Sequence, residues 1–457
     1  MTEVTSKPGH KYILVLTLIS SILMIVDSIV VSIYLSIPRI PSSQTNIMVF
    51  LSFVLFFIIS SYFFLRYVNS GSLSATHPHI KQVKFITKSI VLTQSAISVV
   101  LIYMIAQIVI FGNYNLVSMI IVIFLSHVVA IGFLVLLAYL FINWYLSRRS
   151  KLMLAYAFAF AMIVTTLVIS LIYLSIVLSY HDPFVKLRSV KASIGDYSNY
   201  GARVLILGQF YTYASIISFI SIWIPSIILL RTYFAKIGKL PYWTLVSIPL
   251  IFFLFPFLSD ELGIFDSLFL EYGPNITLLY YIIFSPYKQI GGLLFGIVFW
   301  LTAKRIERKN LKVLVNTAGI GMILLFSSSV LHGLTYVVAP PFGLVTVSYL
   351  GLAAYMLLIG IFSSAKELSR DNMIRREIYK VAGKEFDLFR NISEADLVRT
   401  SEKRVKAIID KVEIQEYHPQ EMADDESDYK KFLQEAIDEI ASKLEKKKSS
   451  TESKDSL

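Results

Sequence analysis

Four ionisable residues stand inside long apolar runs of this chain: Asp27, His127, Lys288 and His332. Placing Asp or Lys at the centre of a membrane helix costs about 2.5–3.5 kcal/mol, so each of the four is a candidate for function. A carboxylate, two imidazoles and an ammonium brought together would bind a small ligand, relay protons or, on adjacent helices, coordinate a metal. The competing reading satisfies each one locally, through a helix carbonyl, a Ser or Thr hydroxyl or water, with Lys288 reaching outward along its alkyl stem. Adjacency in space separates the two readings.

Those residues are positioned by apolar segments of membrane-crossing length. About 20 apolar residues cross roughly 30 Å of hydrocarbon, and ten such windows are predicted near residues 12–37, 46–66, 86–111, 116–143, 152–179, 204–230, 242–258, 277–301, 314–338 and 343–363. The 457 residues are 56% hydrophobic and only 16% charged, and the mean hydropathy is +0.67. Soluble domains carry about a quarter of their residues as charges. The expected fold is therefore all-α, a polytopic bundle of about ten transmembrane helices with a helical cytoplasmic tail. The run from Tyr12 to Ile37 follows Lys7 and Lys11 and is too long for a signal-peptide core, so it reads as a retained first helix.

Lys and Arg gather in cytoplasmic loops, which orients the bundle. With both termini inside, the inner segments hold Lys7, Lys11, Arg66, Lys81, Lys84, Lys88, Arg148, Arg149, Lys151, Arg231, Lys236, Lys239, Lys304, Arg305, Arg308, Lys309 and Lys312. The outer loops hold only Arg39, Lys186, Arg188, Lys191 and Arg203, together with Asp182, Asp196, Asp260, Glu261, Asp266 and Glu271. The net charge of +11 is thus a topology signal for a multi-pass protein of the cell membrane, and its scatter over short loops argues against a nucleic-acid partner. In this orientation Asp27 and His332 lie roughly 22 Å and 27 Å from the inner ends of their helices, and His127 about 17 Å from an outer end. All four candidates then fall in the outer half of the membrane.

Three parts follow: a cytoplasmic N-terminus over 1–11, a transmembrane domain over 12–363 and a charged tail over 364–457. Within the tail, Lys366 to Arg390 extends the tenth helix, and Ile374, Ile378, Val381 and Leu388 permit coiled-coil pairing. Ser393-Glu394-Ala395-Asp396 resembles a capping box that would start a second helix reaching about Val412. Pro419 and the acids Asp424, Asp425, Glu426 and Asp428 read as a linker, Tyr429–Leu444 as an amphipathic helix, and the Lys- and Ser-rich end from Lys446 as disordered.

Soluble-enzyme motifs are missing from the sequence: no phosphate-binding Gly-rich loop, no HExxH and no GxSxG. With zero Cys there is no disulfide, thiolate metal site or cysteine nucleophile. Neither catalysis nor a cofactor is expected. Pro225, Pro249, Pro256 and Pro286 interrupt later spans, a pattern that transporters use at substrate sites. The early windows 46–66 and 86–111 contain neither Pro nor Gly, which argues against an inverted repeat.

The stretch from Leu325 through Ser327, Ser328 and Ser329, then Pro340-Pro341-Phe342-Gly343-Leu344-Val345-Thr346, Leu358 and Ser363-Ser364, resembles a family of uncharacterised archaeal membrane proteins. The resemblance covers the last two helices and the start of the tail. It implies a multi-pass cell-membrane protein with a helical cytoplasmic extension, and no activity or site residues. The layout is also similar to the input half of membrane sensor kinases, but the tail is short, lacks nucleotide-binding Gly boxes, and follows its His418 at once with Pro419. The expected function is receptor-like or membrane-assembly, with the tail meeting a cytoplasmic protein; a transporter or channel for a small solute or ion is the alternative.

Overall fold

The computed structural model describes residues 10–36, 44–72, 80–179, 183–186, 201–231, 238–265, 274–306, 308–328, 340–370 and 387–415. Lipid offers the backbone no hydrogen-bond partner, so each span must pair its own N–H and C=O groups, and helices dominate accordingly. In chain order they are α1 (His10–Ser36), α2 (Gln44–Ser72), α3 (Ile80–Phe111), α4 (Leu116–Ser147), α5 (Lys151–Ser179), α6 (Gly201–Leu230), α7 (Lys239–Glu261), α8 (Pro274–Phe284), α9 (Tyr287–Lys304), α10 (Lys309–Ser328), α11 (Leu344–Ser348), α12 (Leu350–Arg370) and α13 (Asp387–Gln415). Among the described residues ten segments are long and apolar enough to cross a membrane. The chain is a multi-pass, all-α membrane protein, as its apolar windows imply.

Burial separates the centre of the bundle from its lipid-facing rim. The span of α10 is 89% buried and that of α11 and α12 is 100% buried, against 28% for α7. α10 packs between α9 and α12, α12 also meets α4, and α4, α5 and α6 pack in succession. The outer helices keep apolar side chains exposed, among them Leu92, Ile110 and Phe85. In water such a surface would aggregate; in a bilayer it meets acyl chains. Close approach at the centre depends on small residues, as in other membrane helix pairs: a Cβ on Gly321 would lie 2.5 Å from the backbone nitrogen of Leu357.

Proline acts differently from span to span. Pro225 stays within α6, and Pro249 and Pro256 within α7, whereas Ser285-Pro286 divides the eighth span into α8 and α9. α7 is 23 residues long, about 34 Å at 1.5 Å per residue, and so extends beyond the apolar window 242–258 at both ends. Pro241 in its first turn costs no helical hydrogen bond, which lets the helix begin before the apolar run does.

Two short strands, β1 (Asn113–Asn115) and β2 (Phe184–Lys186), pair antiparallel with Tyr114 opposite Val185. They tie the α3–α4 connection to the segment after α5, with the Tyr114 ring wholly buried. Alternation over three residues is too brief to stand out in a sequence, so nothing there predicts this clasp.

The start of the tail departs from the capping-box expectation. α12 is described to Arg370, and the next helix begins at Asp387 and passes through Ser393. Tertiary contact overrides the local motif: Asp396 is held by Lys366 and Ser369, and Ser393 is buried. The chain forms two compact units, the first reaching Leu397 and the second comprising 398–457; the described part of the second is the helical stretch 398–415. His332, Ile374, Ile378, Val381, the acidic linker, the 429–444 helix and, of the outer loops, residues 180–182, 187–200 and 266–273 lie outside the described residues.

Candidate functional site

Two of the four ionisable candidates meet. His127 on α4 and Lys288 on α9 line one cavity of about 40 Å³, together with Thr166 and Ser170 of α5, Tyr211 and Ser215 of α6 and apolar side chains of α7, α10 and α12. Liquid-like hydration needs about 10–15 Å³ of such space per water, so the cavity has room for roughly three waters or a comparably small guest. Sites for drug-sized ligands run to about 300–1,000 Å³.

His127, Thr166, Ser170 and Lys288 are each held by their own helix or a neighbour. The His127 imidazole places Nδ1 3.0 Å from the Ile123 carbonyl one turn back, so in the neutral ring Nδ1–H donates there and Nε2 is left facing the Ser170 hydroxyl at 3.4 Å. Thr166 gives its hydroxyl hydrogen to the carbonyls of Met162 and Ala214, joining α5 to α6. Lys288 does not reach outward: it is 5% exposed, its ammonium donates to the Tyr211 hydroxyl at 2.8 Å, and it lies over the Tyr211 ring, 5.1 Å from the centroid. Phe219 and Phe253 stack at 3.8 Å beside the cavity and close its apolar wall. The hydroxyl partners escape a search for ionisable residues because Ser, Thr and Tyr are common in apolar helices; only Tyr211, spaced away from the interface belts, carries a signal.

Asp27 lies elsewhere. Its carboxylate accepts from Gly343 N at 2.9 Å through Oδ1, and through Oδ2 from Thr346 N at 3.3 Å and the Thr346 hydroxyl at 2.6 Å. These are the donors that the start of α11 leaves unsatisfied. Gly343 has a positive φ of 86° and no side chain to cap with, so an acid from α1 does the capping across the bundle. The neighbouring Ser28 accepts from Gln289 Nε2 at 3.2 Å. Among the described residues no group of three His, Cys, Asp or Glu is placed to hold a metal ion.

A second constructed feature lies at the end of the bundle that carries the basic loops. The first turns of α13 bury Leu388, Phe389, Ile392 and Ala395, with the Phe389 ring edge-on to Phe299 of α9 at 6.3 Å. Asp396, 3% exposed, accepts from the Lys366 ammonium at 2.8 Å and from Ser369 at 2.9 Å. Glu394 pairs with Arg148, and Asn391 donates to Ser150 at 3.0 Å. Lys366→Met should raise amide exchange over residues 388–396 about tenfold, because a charge-assisted bond contributes about 1.5 kcal/mol or more. Exchange measured by mass spectrometry checks this, and an unchanged rate would show that apolar contact alone holds the segment.

No family model matches the chain, and no curated protein or solved structure matches it either, so fold and site stand on the geometry described above.

Proposed function

We propose that this protein is a receptor-like component of the cell membrane, in which the bundle responds to a small ligand and the tail passes the response to a cytoplasmic protein. The observation that supports this reading is the docked start of α13. Lys366 and Ser369, which hold Asp396, belong to α12, whose upper turns border the cavity through Leu350. A shift of α12 would therefore be felt both at the cavity and at the docked segment. Such a device works only as far as the ligand binds one bundle state better than the other.

The test is in-membrane crosslinking with mass spectrometry on three chains: intact, ending at Leu397, and ending at Ser364. A cytoplasmic partner crosslinked through residues 398–457 of the intact chain and absent from both truncations is the expected result. A partner that persists without the tail would overturn it.

Transport of a small solute or ion is the second reading, favoured by a cavity lined by Lys288 and His127 and by the break at Ser285-Pro286. Solute flux in proteoliposomes that Lys288→Gln abolishes would decide for it.

A further inference from the structure

We propose that the cavity binds a neutral amphiphile of about two to four heavy atoms, a short-chain alcohol in its simplest form. Its O–H meets the hydroxyls of α5 and α6, and its alkyl body meets α7, α11 and α12. This names the ligand class for the bundle site and rests on the reading of the cavity as that site.

The lining is divided by helix. α5 and α6 supply hydroxyls among their lining residues, whereas α7, α11 and α12 supply only Phe253, Val347 and Leu350. A guest that fits both kinds of surface has a polar end and an apolar body. Space limits the body: about 40 Å³ is room for roughly three waters, which an alcohol of the size of ethanol or 1-propanol fills.

Ionic guests fail on donors and on charge. An anion needs hydrogens, and those of the lining hydroxyls are largely committed: Thr166 donates to the Met162 and Ala214 carbonyls, Ser218 to the Ser215 carbonyl and Ser328 to the Leu325 carbonyl. Ser170 gives its hydrogen to His127 Nε2. A cation needs a counter-charge, and no lining residue is Asp or Glu. Hydroxyls that have given up their hydrogens still offer oxygen lone pairs, which accept from the O–H of a neutral guest.

Ser215 is the exception that fixes where the polar end sits. Its side chain lines the cavity and is only 4% exposed, and its hydroxyl has no hydrogen-bond partner among the described residues. A buried hydroxyl left unpaired is costly, and an alcohol oxygen beside it can both accept from it and donate onward. Water suits the site less well: a buried water makes about three hydrogen bonds, which the apolar residues cannot supply, and an alkyl group that displaces a poorly ordered water gains affinity.

The experiment exploits the absence of Cys from the chain. Ser215→Cys places a single thiol at the polar end of the cavity, and Val347→Cys places one at the apolar side, so that one variant serves if the other fails to fold. Gly132→Cys is the control, at a position where a Cβ meets nothing within 4 Å. Each full-length variant, in nanodiscs, is labelled with methyl methanethiolsulfonate and followed by intact mass. Ethanol and 1-propanol should slow labelling of the cavity thiols about fivefold, with saturation, by mass action, and leave the control unchanged. Sodium chloride and 1-hexanol should slow neither. The proposal is overturned if the short alcohols have no effect, if they slow the control equally, or if slowing grows with chain length through 1-hexanol, which would mark an effect on the bilayer. Slowing by chloride instead, or cavity thiols that never react, would overturn it too. A Ser215→Cys chain ending at Leu397 should keep the alcohol effect. That effect without a tail-dependent partner would leave the alcohol site standing and remove the receptor reading; a tail-dependent partner without the effect would do the reverse.

Discussion

Asp27→Asn should destabilise the protein by about 2 kcal/mol, and Asp27→Ala by more, although Asp27 does not line the cavity. The carboxylate satisfies three donors with two oxygens, and bonds to a charged acceptor contribute about 1.5–3 kcal/mol each. An amide offers one oxygen. Its NH₂ group must then face either the Gly343 N–H or the Thr346 pair, setting donor against donor inside a wholly buried site. Thr346→Val removes the 2.6 Å bond and should cost somewhat less. The two changes share one network, so their combined effect should fall short of the sum. Unfolding in nanodiscs measures all four chains. If Asp27→Asn keeps full stability but loses a ligand response, the capping role is wrong and Asp27 belongs to the binding machinery.

Gly321→Ala should cost about 3 kcal/mol, at the upper end of what overpacking usually costs, whereas Gly132→Ala should be neutral or mildly stabilising. Both residues are helical glycines, and propensity alone favours Ala by about 1 kcal/mol at either. The difference lies across the interface. A methyl on Gly321 would come within 2.5 Å of Leu357 N and 2.9 Å of the Ala353 carbonyl, backbone atoms that cannot rotate away, while a methyl on Gly132 meets nothing within 4 Å. Gly360, facing Ala318 from α12, is the reciprocal half of this contact. The folded fraction after size-exclusion chromatography and the unfolding midpoint read both variants. Equal behaviour of the two would mean that α10 and α12 do not approach as closely as described.

The docked segment illustrates how strong local signals lose to tertiary ones. Ser393-Glu394-Ala395-Asp396 has the spacing of a helix start, yet Asp396 gains more from the Lys366 ammonium and the Ser369 hydroxyl than from a backbone N–H at a cap. Leu388, readable as part of a coiled-coil seam, is instead buried within the bundle's own compact unit. The first outcome depends on residues of α12 30 and 27 positions away, and no window of local sequence contains that information.

What the sequence by itself determined is the class of molecule. Apolar runs of about twenty residues oblige the chain to cross a membrane as helices, because unpaired backbone groups are too costly in hydrocarbon, and ten such spans are present among the described residues. It also marked Asp27, His127 and Lys288 as worth explaining, since a charge or imidazole in an apolar run needs a compensating group. Only the tertiary structure decided what the compensation is: the buried N–H groups at a helix start for Asp27, a carbonyl and a Ser hydroxyl for His127, a tyrosine beside a small cavity for Lys288. The reason is that helix packing brings together residues such as 127 and 288 or 27 and 346. Those pairings are set by side-chain shape along whole interfaces, including glycines whose only visible property in the sequence is the side chain they lack.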